Sequence, residues 1–590
     1  MMNYSLKKYD EKDSSEKQSS FALAKQFLVY LADEKLKLAL SFLVIILNSA
    51  ASIAAPFMLG YTIDTFILQG DLAGITRFSF ILAGIYLVIF VTNYFQTVLM
   101  GRLGQDLLYK LRNSLFEKIQ SLPLAFFNQN KLGDLISRIN NDTDKLNQFF
   151  SQSLIQFVSN IFTIAGIGIF IFFINWKLAL VTLSSALALL IVAYFLSPWI
   201  NRKNRSSLQA LGGLSAEIQE SLTNFKVIVS FDRRDYFKDS FEKANAQNYV
   251  SSVGAGIANT ISSPIYDFAG NIAQALVLVY GIHLIISGDL MVGILVSFLS
   301  YTDRFYTPLR QMASVFASAQ QALAGWNRIS EILRLESDMQ VVPDGQKNPA
   351  SGHVVRFDHV GFAYSEDKQI LKDVSFTFDQ GKTYAIVGPT GGGKSTIASV
   401  MSRLFDPQKG TIYLEGRDIK SYTPEERTQK IGFILQDQYL FTGTVGENIV
   451  YGNPDYLEYS KPRLEKEIHD LGLDALLEKF EDGLDTAVTP ATETISLGQK
   501  QLISFIRALI RKPALLIMDE ATANIDTVTE GLLQEIIDKL PAQTTKVIIA
   551  HRLNTIKNAD EIYFVNNGTV ETAESFERSV ELIGKSKRTS

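Results

Sequence analysis

Six long apolar segments in the first half of the chain constrain its fold more than any other feature. They are Leu38–Tyr61, Phe78–Met100, Leu154–Ile174, Leu178–Trp199, Phe268–Ser287 and Met291–Phe316. Most contain about 20 weakly charged residues, which is enough to span a bilayer as a helix. The sixth is interrupted by Asp303, Arg304 and Arg310, so its inner half is expected to face protein or water. The alternative is a set of buried helices in a large soluble protein, which six such segments together disfavour.

The connections between these segments predict the orientation of the helices. Two of them, between segments two and three and between segments four and five, are long and rich in Lys and Arg. Because basic loops stay on the cytoplasmic side of a membrane, we expect both long connections and both termini there. Each long connection breaks its helical pattern at a tip with aromatic residues, near Phe126–Asn130 and Phe225–Phe231. A cytoplasmic partner domain could receive these tips, and ordinary helix–helix turns are the alternative.

Composition narrows the function classes further. The chain has 590 residues, of which 47% are apolar, a mean hydropathy of +0.11, a net charge of −5 and no cysteine. The missing cysteines exclude disulfides, thiol catalysis and Cys-ligated metals, and the small net charge argues against a nucleic-acid partner. Residues 1–20 are polar without a signal-peptide pattern and are predicted to be disordered. The amphipathic stretch Phe21–Asp33 is predicted to lie along the inner membrane surface.

A change of pattern near residue 334 predicts a second domain. The apolar spans stop near Leu333, and Ser337–Gly352 carries the prolines, glycines and charges that are typical of a linker. From His353 onward, short strands alternate with helices, which indicates an α/β domain. The predicted boundaries are therefore 21–333 for the transmembrane domain, 334–352 for the linker and 353–590 for the α/β domain.

One glycine-rich stretch in the second half fits the phosphate-binding pattern G-x-x-x-x-G-K-[ST]. It consists of Gly388, Pro389, Thr390, Gly391, Gly392, Gly393, Lys394, Ser395 and Thr396. A strand-like run precedes it and an apolar helix-like run follows it, as the pattern requires. The glycines let backbone N–H groups surround phosphate oxygens. Lys394 would then reach the β- and γ-phosphates, and the Ser395 hydroxyl would bind Mg²⁺. A chance glycine-rich turn is the alternative, which the further motifs below disfavour.

Polar residues follow three further predicted strands of this domain. Asp519 ends an apolar strand, where an acid can bind Mg²⁺ directly or through water, and the adjacent Glu520 can polarise the attacking water. His551 follows a second strand and can reach the γ-phosphate. Gln436 follows a third and could contact Mg²⁺ and the water. The alternative is that Asp519 and Glu520 are simply solvated acids at a strand end.

Taken together, these motifs resemble those of an ATP-binding-cassette exporter half-transporter. The resemblance covers the chain from about residue 20 to its end. The resemblance implies an α-helical six-span transmembrane domain followed by an α/β P-loop nucleotide-binding domain with a RecA-like core and a helical subdomain. It implies roles for single positions: Tyr364 stacks on adenine, Gly388–Thr396 is the Walker A loop, Gln436 is the Q-loop, Asp519 is the Walker B acid, Glu520 is the catalytic base, Asn524–Asp526 is the D-loop and His551 is the switch histidine. The aromatic tips of both long connections resemble the family's coupling helices. An isolated tyrosine such as Tyr364 would otherwise more often belong to the core.

One motif departs from the family pattern. Where the family has L-S-G-G-Q, this chain has Ile495, Ser496, Leu497, Gly498 and Gln499, and Pro490 stands where an acid is expected. The resemblance implies that Ser496, Gly498 and Gln499 contact ATP held by the opposite subunit. Leu497 adds a bulky side chain there and should weaken closure. We therefore expect a heterodimer in which the partner completes the site of Lys394 and Glu520. A working homodimer that tolerates Leu497 is the alternative.

The expected function is ATP-driven export of hydrophobic or amphiphilic compounds across a bacterial cell membrane. ATP and Mg²⁺ are the expected cofactors, and the expected partners are a second half-transporter, membrane lipids and a hydrophobic small molecule. A lipid or lipid-precursor flippase is the main alternative, and a regulatory subunit that does not pump is less compatible with Glu520 and His551. Polar residues within the spans are candidates for substrate contact, or else for helix–helix pairs: Asp267, Asn271, Gln274, Asp303 and Arg304.

Overall fold

The computed structural model of the chain describes most of its residues and divides it into two compact units. The described ranges are 4–6, 34–342, 352–365, 368–456, 458–489, 495–519, 527–549, 559–573, 577–578 and 581–582. The helical unit comprises Lys7–Gln120 and Leu132–Arg334, and the α/β unit comprises Met1–Leu6, Ser121–Lys131 and Leu335–Ser590. The predicted surface helix Phe21–Asp33 and Pro490 lie outside the described residues.

Long helices dominate the first half of the chain. Their bounds are α1 Lys35–Ile67, α2 Leu72–Ser121, α3 Leu124–Gln129, α4 Leu132–Ile174, α5 Trp176–Thr223, α6 Phe225–Ser230, α7 Arg234–Ile286 and α8 Val292–Arg334. Within the described ranges, α1, α2, α4, α5 and α7 are long and apolar enough to cross a membrane. The sixth long helix, α8, carries the expected interruption at Asp303, Arg304 and Arg310. A helical transmembrane domain compatible with six spans is therefore confirmed.

These helices extend well beyond the thickness of a bilayer. α2 has 50 residues and α5 has 48, whereas about 20 residues cross the hydrocarbon core. Many of their large apolar side chains, such as Phe90 and Phe195, point outward, as lipid-facing residues do. Much of each long basic connection therefore continues a membrane helix past the hydrocarbon core.

Several polar residues of the spans, including the candidate Asp267, have partners within the helical unit. The Asp64 carboxylate accepts hydrogen bonds from the backbone N–H groups of Gly293 (2.6 Å) and Ile294 (3.0 Å), so it caps the start of α8. Asp267 forms an ion pair with Arg310. The Tyr301 hydroxyl donates to the Ile53 carbonyl at 2.6 Å. For Asp267 the structure therefore contains the helix–helix pair that was the alternative to substrate contact.

A buried charge network joins α4 to α8. Arg138 is 1% exposed and donates to Asp134 (2.9 Å), to Glu331 (2.6 Å) and to the Arg328 carbonyl (2.7 Å). Arg328 bridges Asp134 and Asp142 in turn. Arg138 and Asp142 are the fully buried charges of this network, and each faces at least one opposite charge, as buried charges must.

Replacing Arg138 with methionine is expected to destabilise the helical unit by about 1.5–3 kcal/mol, because it removes hydrogen bonds between a buried guanidinium and the partly exposed carboxylates of Asp134 and Glu331. Thermal unfolding of the purified full chain measures the effect as a lowered midpoint. Arg205→Met is the matched control, since Arg205 is exposed on α5 and a surface arginine contributes little. Equal unfolding midpoints for the two variants would contradict the importance of the network.

The α/β unit contains two principal sheets and a two-stranded ribbon. The strands are β1 His353–Ser365, β2 Lys368–Asp379, β3 Thr383–Val387, β4 Lys409–Leu414, β5 Arg417–Asp418, β6 Ile431–Ile434, β7 Gly443–Thr444, β8 Ala487–Val488, β9 Leu515–Asp519, β10 Thr545–Ile549, β11 Glu561–Asn566 and β12 Thr569–Ala573. The first sheet has the order β2-β1-β4-β5 and is antiparallel. The second has the order β12-β11-β3-β10-β9-β6 and is parallel apart from β12. β9 is buried along its whole length, as central parallel strands are.

Several helices of this unit share one large apolar core with strands β6 and β9, which contribute Ile434 and Met518. The described helices that follow β3 are α9 Lys394–Met401, α10 Pro424–Lys430, α11 Val445–Val450, α12 Lys461–Asp470, α13 Asp474–Leu477, α14 Leu497–Ile510 and α15 Thr527–Asp538. Leu464 and Ile468 of α12 share a buried core with Leu502 and Ile506 of α14. The predicted nucleotide-domain fold, with a parallel-sheet core and a helical subdomain, is confirmed.

Candidate functional site

The carboxyl ends of four parallel strands meet at one edge of the six-stranded sheet. Ile386 of β3 pairs with Ile549 of β10, Ile549 pairs with Asp519 of β9, and Met518 of β9 pairs with Ile434 of β6. Each strand therefore ends at the same level. In open parallel sheets this edge is where ligands bind. It carries the glycine-rich loop after β3, Asp519 at the end of β9 and Gln436 two residues after β6.

The glycine-rich loop has a backbone that only glycine adopts easily. Gly388 has a φ of +151°, and a Cβ there would lie 2.0 Å from the Val565 carbonyl oxygen. Gly393 has a φ of +113° and caps the start of α9. Lys394 opens α9 and is buried, with its ammonium donating to the carbonyls of Gly388 (2.9 Å) and Pro389 (3.0 Å). A cation and a helix N-terminus thus converge on one loop, which suits a phosphate chain.

Two oxygen ligands lie beside this loop. The Ser395 hydroxyl and the Asp519 carboxylate are 3.5 Å apart, and Asp519 is buried at the end of β9. A hydroxyl and a carboxylate are hard oxygen donors, which Mg²⁺ prefers together with phosphate and water. These residues therefore fit the expected metal. Gln436 is exposed at the same sheet edge.

Tyr364 presents a partly open aromatic ring near the loop. Its ring lies perpendicular to those of Phe362 and Phe405, with centroids 4.8 Å and 5.2 Å away, and it remains 42% exposed. Its hydroxyl lies 3.3 Å from the Thr396 hydroxyl on α9. A partly exposed aromatic ring beside the phosphate loop can stack on a flat base. The link to Thr396 was not predicted from the sequence.

The segment that departs from the family signature opens helix α14. Ser496 accepts a hydrogen bond from the Gln499 N–H (3.3 Å), and the Gln499 side chain accepts one from the Ser496 N–H (2.8 Å). This reciprocal pair is a capping box. Gly498 lies in the first helical turn, and Leu497 at its first position is 48% exposed. Sequence reasoning missed the cap, although the spacing S-x-x-Q is a readable signal for it.

Three predicted elements lie outside the described residues: Glu520, His551 and the stretch Asn524–Asp526. Each follows a strand whose described end lies at the sheet edge, namely β9 for the first and third and β10 for His551. The roles of all these residues remain predictions.

Comparison with known proteins covers nearly the whole chain. Residues 38–309 match the ABC transporter transmembrane region, and residues 371–523 match the ABC transporter domain. A fatty acid ABC transporter ATP-binding/permease protein of Mycobacterium tuberculosis is 31% identical over 85% of this chain and 78% of its own length. A Bacillus subtilis protein that is named as a putative multidrug export ATP-binding/permease protein is 30% identical over 92% of this chain and 95% of its own length. The solved structure of a bacterial Atm1-family ABC exporter with ATP bound superposes with a TM-score of 0.76 at 24% identity, covering 94% of this chain and 96% of the other.

Proposed function

Since the chain belongs to the ABC transporter family, whose ATP-binding domain is an ATPase coupled to transport, we propose that it is one subunit of a heterodimeric exporter of hydrophobic and amphiphilic compounds. The observation that most directly supports this is the shared sheet edge. There a phosphate loop, a buried acid and a hydroxyl converge in a chain that also carries membrane-spanning helices.

Each candidate residue has a distinct task in this proposal. Lys394 and the start of α9 bind the phosphates, and Tyr364 positions the base. Ser395, Asp519 and Gln436 would hold Mg²⁺, which would neutralise charge that develops on the phosphates. Glu520 accepts a proton from the attacking water, and His551 orients the γ-phosphate from the far side.

A second chain is part of the proposal because the sequence carries one phosphate loop. Leu497 is exposed at the start of α14, and α6 exposes apolar residues at its tip, with Phe225 58% and Phe231 75% accessible. Exposed apolar groups of this size mark interaction surfaces. ATP would be enclosed between the two subunits, and its hydrolysis would let them part.

Alternating access then follows from a rigid-body motion. ATP must bind the closed state more tightly than the open one, or no population shifts. The two short helices at the loop tips, α3 and α6, would pass this motion to the membrane helices.

A lipid cargo is the second candidate because one relative is named for fatty acids. The scaffold would be the same, and only the compound that is moved would differ. A regulatory subunit that binds nucleotide without pumping is the least supported reading, since Lys394, Asp519 and Glu520 are all present.

Membrane vesicles from cells that express this chain with its partner are expected to move a fluorescent cationic dye in an ATP-dependent way. Lys394→Ala should abolish the movement, because the loop loses the cation that binds phosphate. A fluorescent phospholipid assayed in the same vesicles tests the second candidate. Movement of lipid but not dye would replace the first candidate with the second, and movement of neither would favour the regulatory reading.

A further inference from the structure

Three residues near the beginning of the chain are built into the α/β unit. Tyr4 and Leu6 are buried, and Tyr4 has no exposed surface. This differs from the disorder predicted for residues 1–20, because side chains far along the sequence satisfy the polar groups of this short extended segment. The other residues of that range lie outside the described part of the chain.

The end of helix α3 holds the backbone of this segment. The Gln129 side-chain oxygen accepts from the Tyr4 N–H at 2.7 Å. The Asn130 side chain accepts from the Leu6 N–H and donates to the Tyr4 carbonyl, both at 2.9 Å. Asn130 also donates to the Phe126 carbonyl at 2.7 Å, so it caps α3 and binds the segment with the same amide. This is the two-point pairing that a neighbouring strand would provide.

The Tyr4 side chain reaches the linker that follows α8. Its hydroxyl donates to the Asp338 carboxylate and accepts from the Asp338 N–H, both at 2.8 Å, and the Glu336 carbonyl lies 3.2 Å away. Burial raises the pKa of Tyr4 to about 12, so the phenol keeps its proton at neutral pH. A hydrogen bond to a carboxylate is stronger than one between neutral groups.

The same linker is attached to the phosphate-binding helix. Arg403, which follows α9 and is buried, donates to the Gln340 carbonyl at 2.8 Å. The Val342 N–H donates to the Lys420 carbonyl at 3.0 Å. A continuous set of hydrogen bonds therefore runs from the end of α9 through the linker and Tyr4 to α3.

A cavity beside the segment makes these bonds more important. Its volume is about 520 Å³. The residues that line it come from the start of α3, the linker, the loop after α9 and the turn after β5, and include Pro123, Ala125, Asp338, Gln340, Phe405 and Lys420. Pro123 and Ala125 at the start of α3 border this open space, and residues 4–6 add direct polar links between α3 and the linker.

We propose that Tyr4–Leu6 is a strap that binds α3 to the linker, so that α3 moves with the nucleotide domain during the transport cycle. This proposal rests on the proposed transport function. The strap acts by positioning α3, and the hydrogen-bond partners named above for Tyr4 and Leu6 all lie at the end of α3 and in the linker. Without it, ATP would still be hydrolysed, but less of the motion would reach the membrane helices.

Hydrogen–deuterium exchange of the full chain, purified with its partner, tests the docking without any transport assay. The amides of Tyr4 and Leu6 are expected to exchange more slowly than in a free peptide of the same sequence, because both donate to side chains of α3. Tyr4→Ala should accelerate exchange at Leu6 by about tenfold or more, since it removes bonds to a carboxylate. Exchange of the unsubstituted segment at the free-peptide rate would overturn the proposal.

The functional arm compares dye transported with ATP hydrolysed in the same vesicles. Tyr4→Ala should lower the ratio about threefold while hydrolysis stays near that of the unsubstituted protein. Tyr109→Ala is the matched control, since Tyr109 is exposed on α2. Tyr4→Phe keeps the ring and removes the hydroxyl, so it provides a milder variant should the alanine variant fail to assemble. For this variant a smaller decrease in the ratio of dye transported to ATP hydrolysed is expected.

The two proposals fail in different ways. An unsubstituted transporter that moves neither dye nor lipid would contradict the proposed function, while slow exchange at Tyr4 and Leu6 would still support the docked segment. If the unsubstituted transporter moves dye, and Tyr4→Ala and Tyr4→Phe transport as much dye per ATP hydrolysed as it does, the strap alone would be overturned.

Discussion

Replacing Glu520 with glutamine will lower ATP hydrolysis by the assembled transporter by at least about a hundredfold, while ATP binding persists. A general base contributes about 10²–10⁴-fold to a rate, and glutamine keeps the size of the side chain but cannot accept the proton. Lys394, Ser395 and Asp519 remain in place to bind the phosphates, so affinity for nucleotide should change little. Phosphate release measures the rate of ATP hydrolysis, and a fluorescent ATP analogue measures the affinity for nucleotide.

Glu571→Gln is the matched control for this experiment. Glu571 is exposed on β12, the outermost strand on the side of the sheet away from β9 and β6. The substitution makes the same change of charge. It should leave hydrolysis unchanged. Turnover near the unsubstituted rate in Glu520→Gln would mean that another group activates the water, and Glu520 would lose its assigned role.

The geometry around the glycine-rich loop was predictable because its signals are local. The loop Gly388–Thr396 lies within nine consecutive residues, and the φ of Gly388 and Gly393 explains why glycine is required there. Asp519 ends a buried apolar strand that the sequence displays directly. Parallel strands bring their ends to one edge, so residues that follow different strands meet without any contact being known in advance.

Other features depend on contacts that no local pattern records. Tyr4 lies 334 positions from Asp338, its hydrogen-bond partner, and the sequence around it is polar. Arg138 and Glu331 are separated by 193 positions, and an arginine within a basic connection gives no sign that it is buried. In both cases the partner, which a single sequence does not identify, determines the structure.

The altered signature combines a predictable and an unpredictable part. Its departure at Leu497 was evident from the sequence, whereas the structure adds that Ser496 caps α14 and that Leu497 is exposed beside this cap. A serine that caps its own helix keeps its hydroxyl at the helix N-terminus, where anions are favoured. The bulk of Leu497 is then the main difference from a competent surface, since glycine would permit the closest approach of a phosphate.

Purified without its partner, this chain is expected to hydrolyse ATP at least about tenfold more slowly than the complete heterodimer. In a homodimer, each Glu520 would lie opposite a signature segment that contains Leu497. One displaced hydrogen-bond donor at a transition state lowers the rate by about 10²–10³-fold. ATPase rates of the lone chain and of the co-purified complex, each at matched site concentration, measure the difference. Light scattering establishes whether the lone chain is dimeric.

Leu497→Gly in the lone chain should restore much of this rate, because removal of the side chain lets the helix start approach the opposite nucleotide. Leu497→Ala is the matched control: it favours the helix more than glycine does but keeps a Cβ, so an intermediate rate is expected. Thermal unfolding separates this gain from any loss of helix stability. A stable homodimer of the unsubstituted chain that hydrolyses ATP as fast as the complex would show that Leu497 is tolerated, and the need for an unlike partner would disappear.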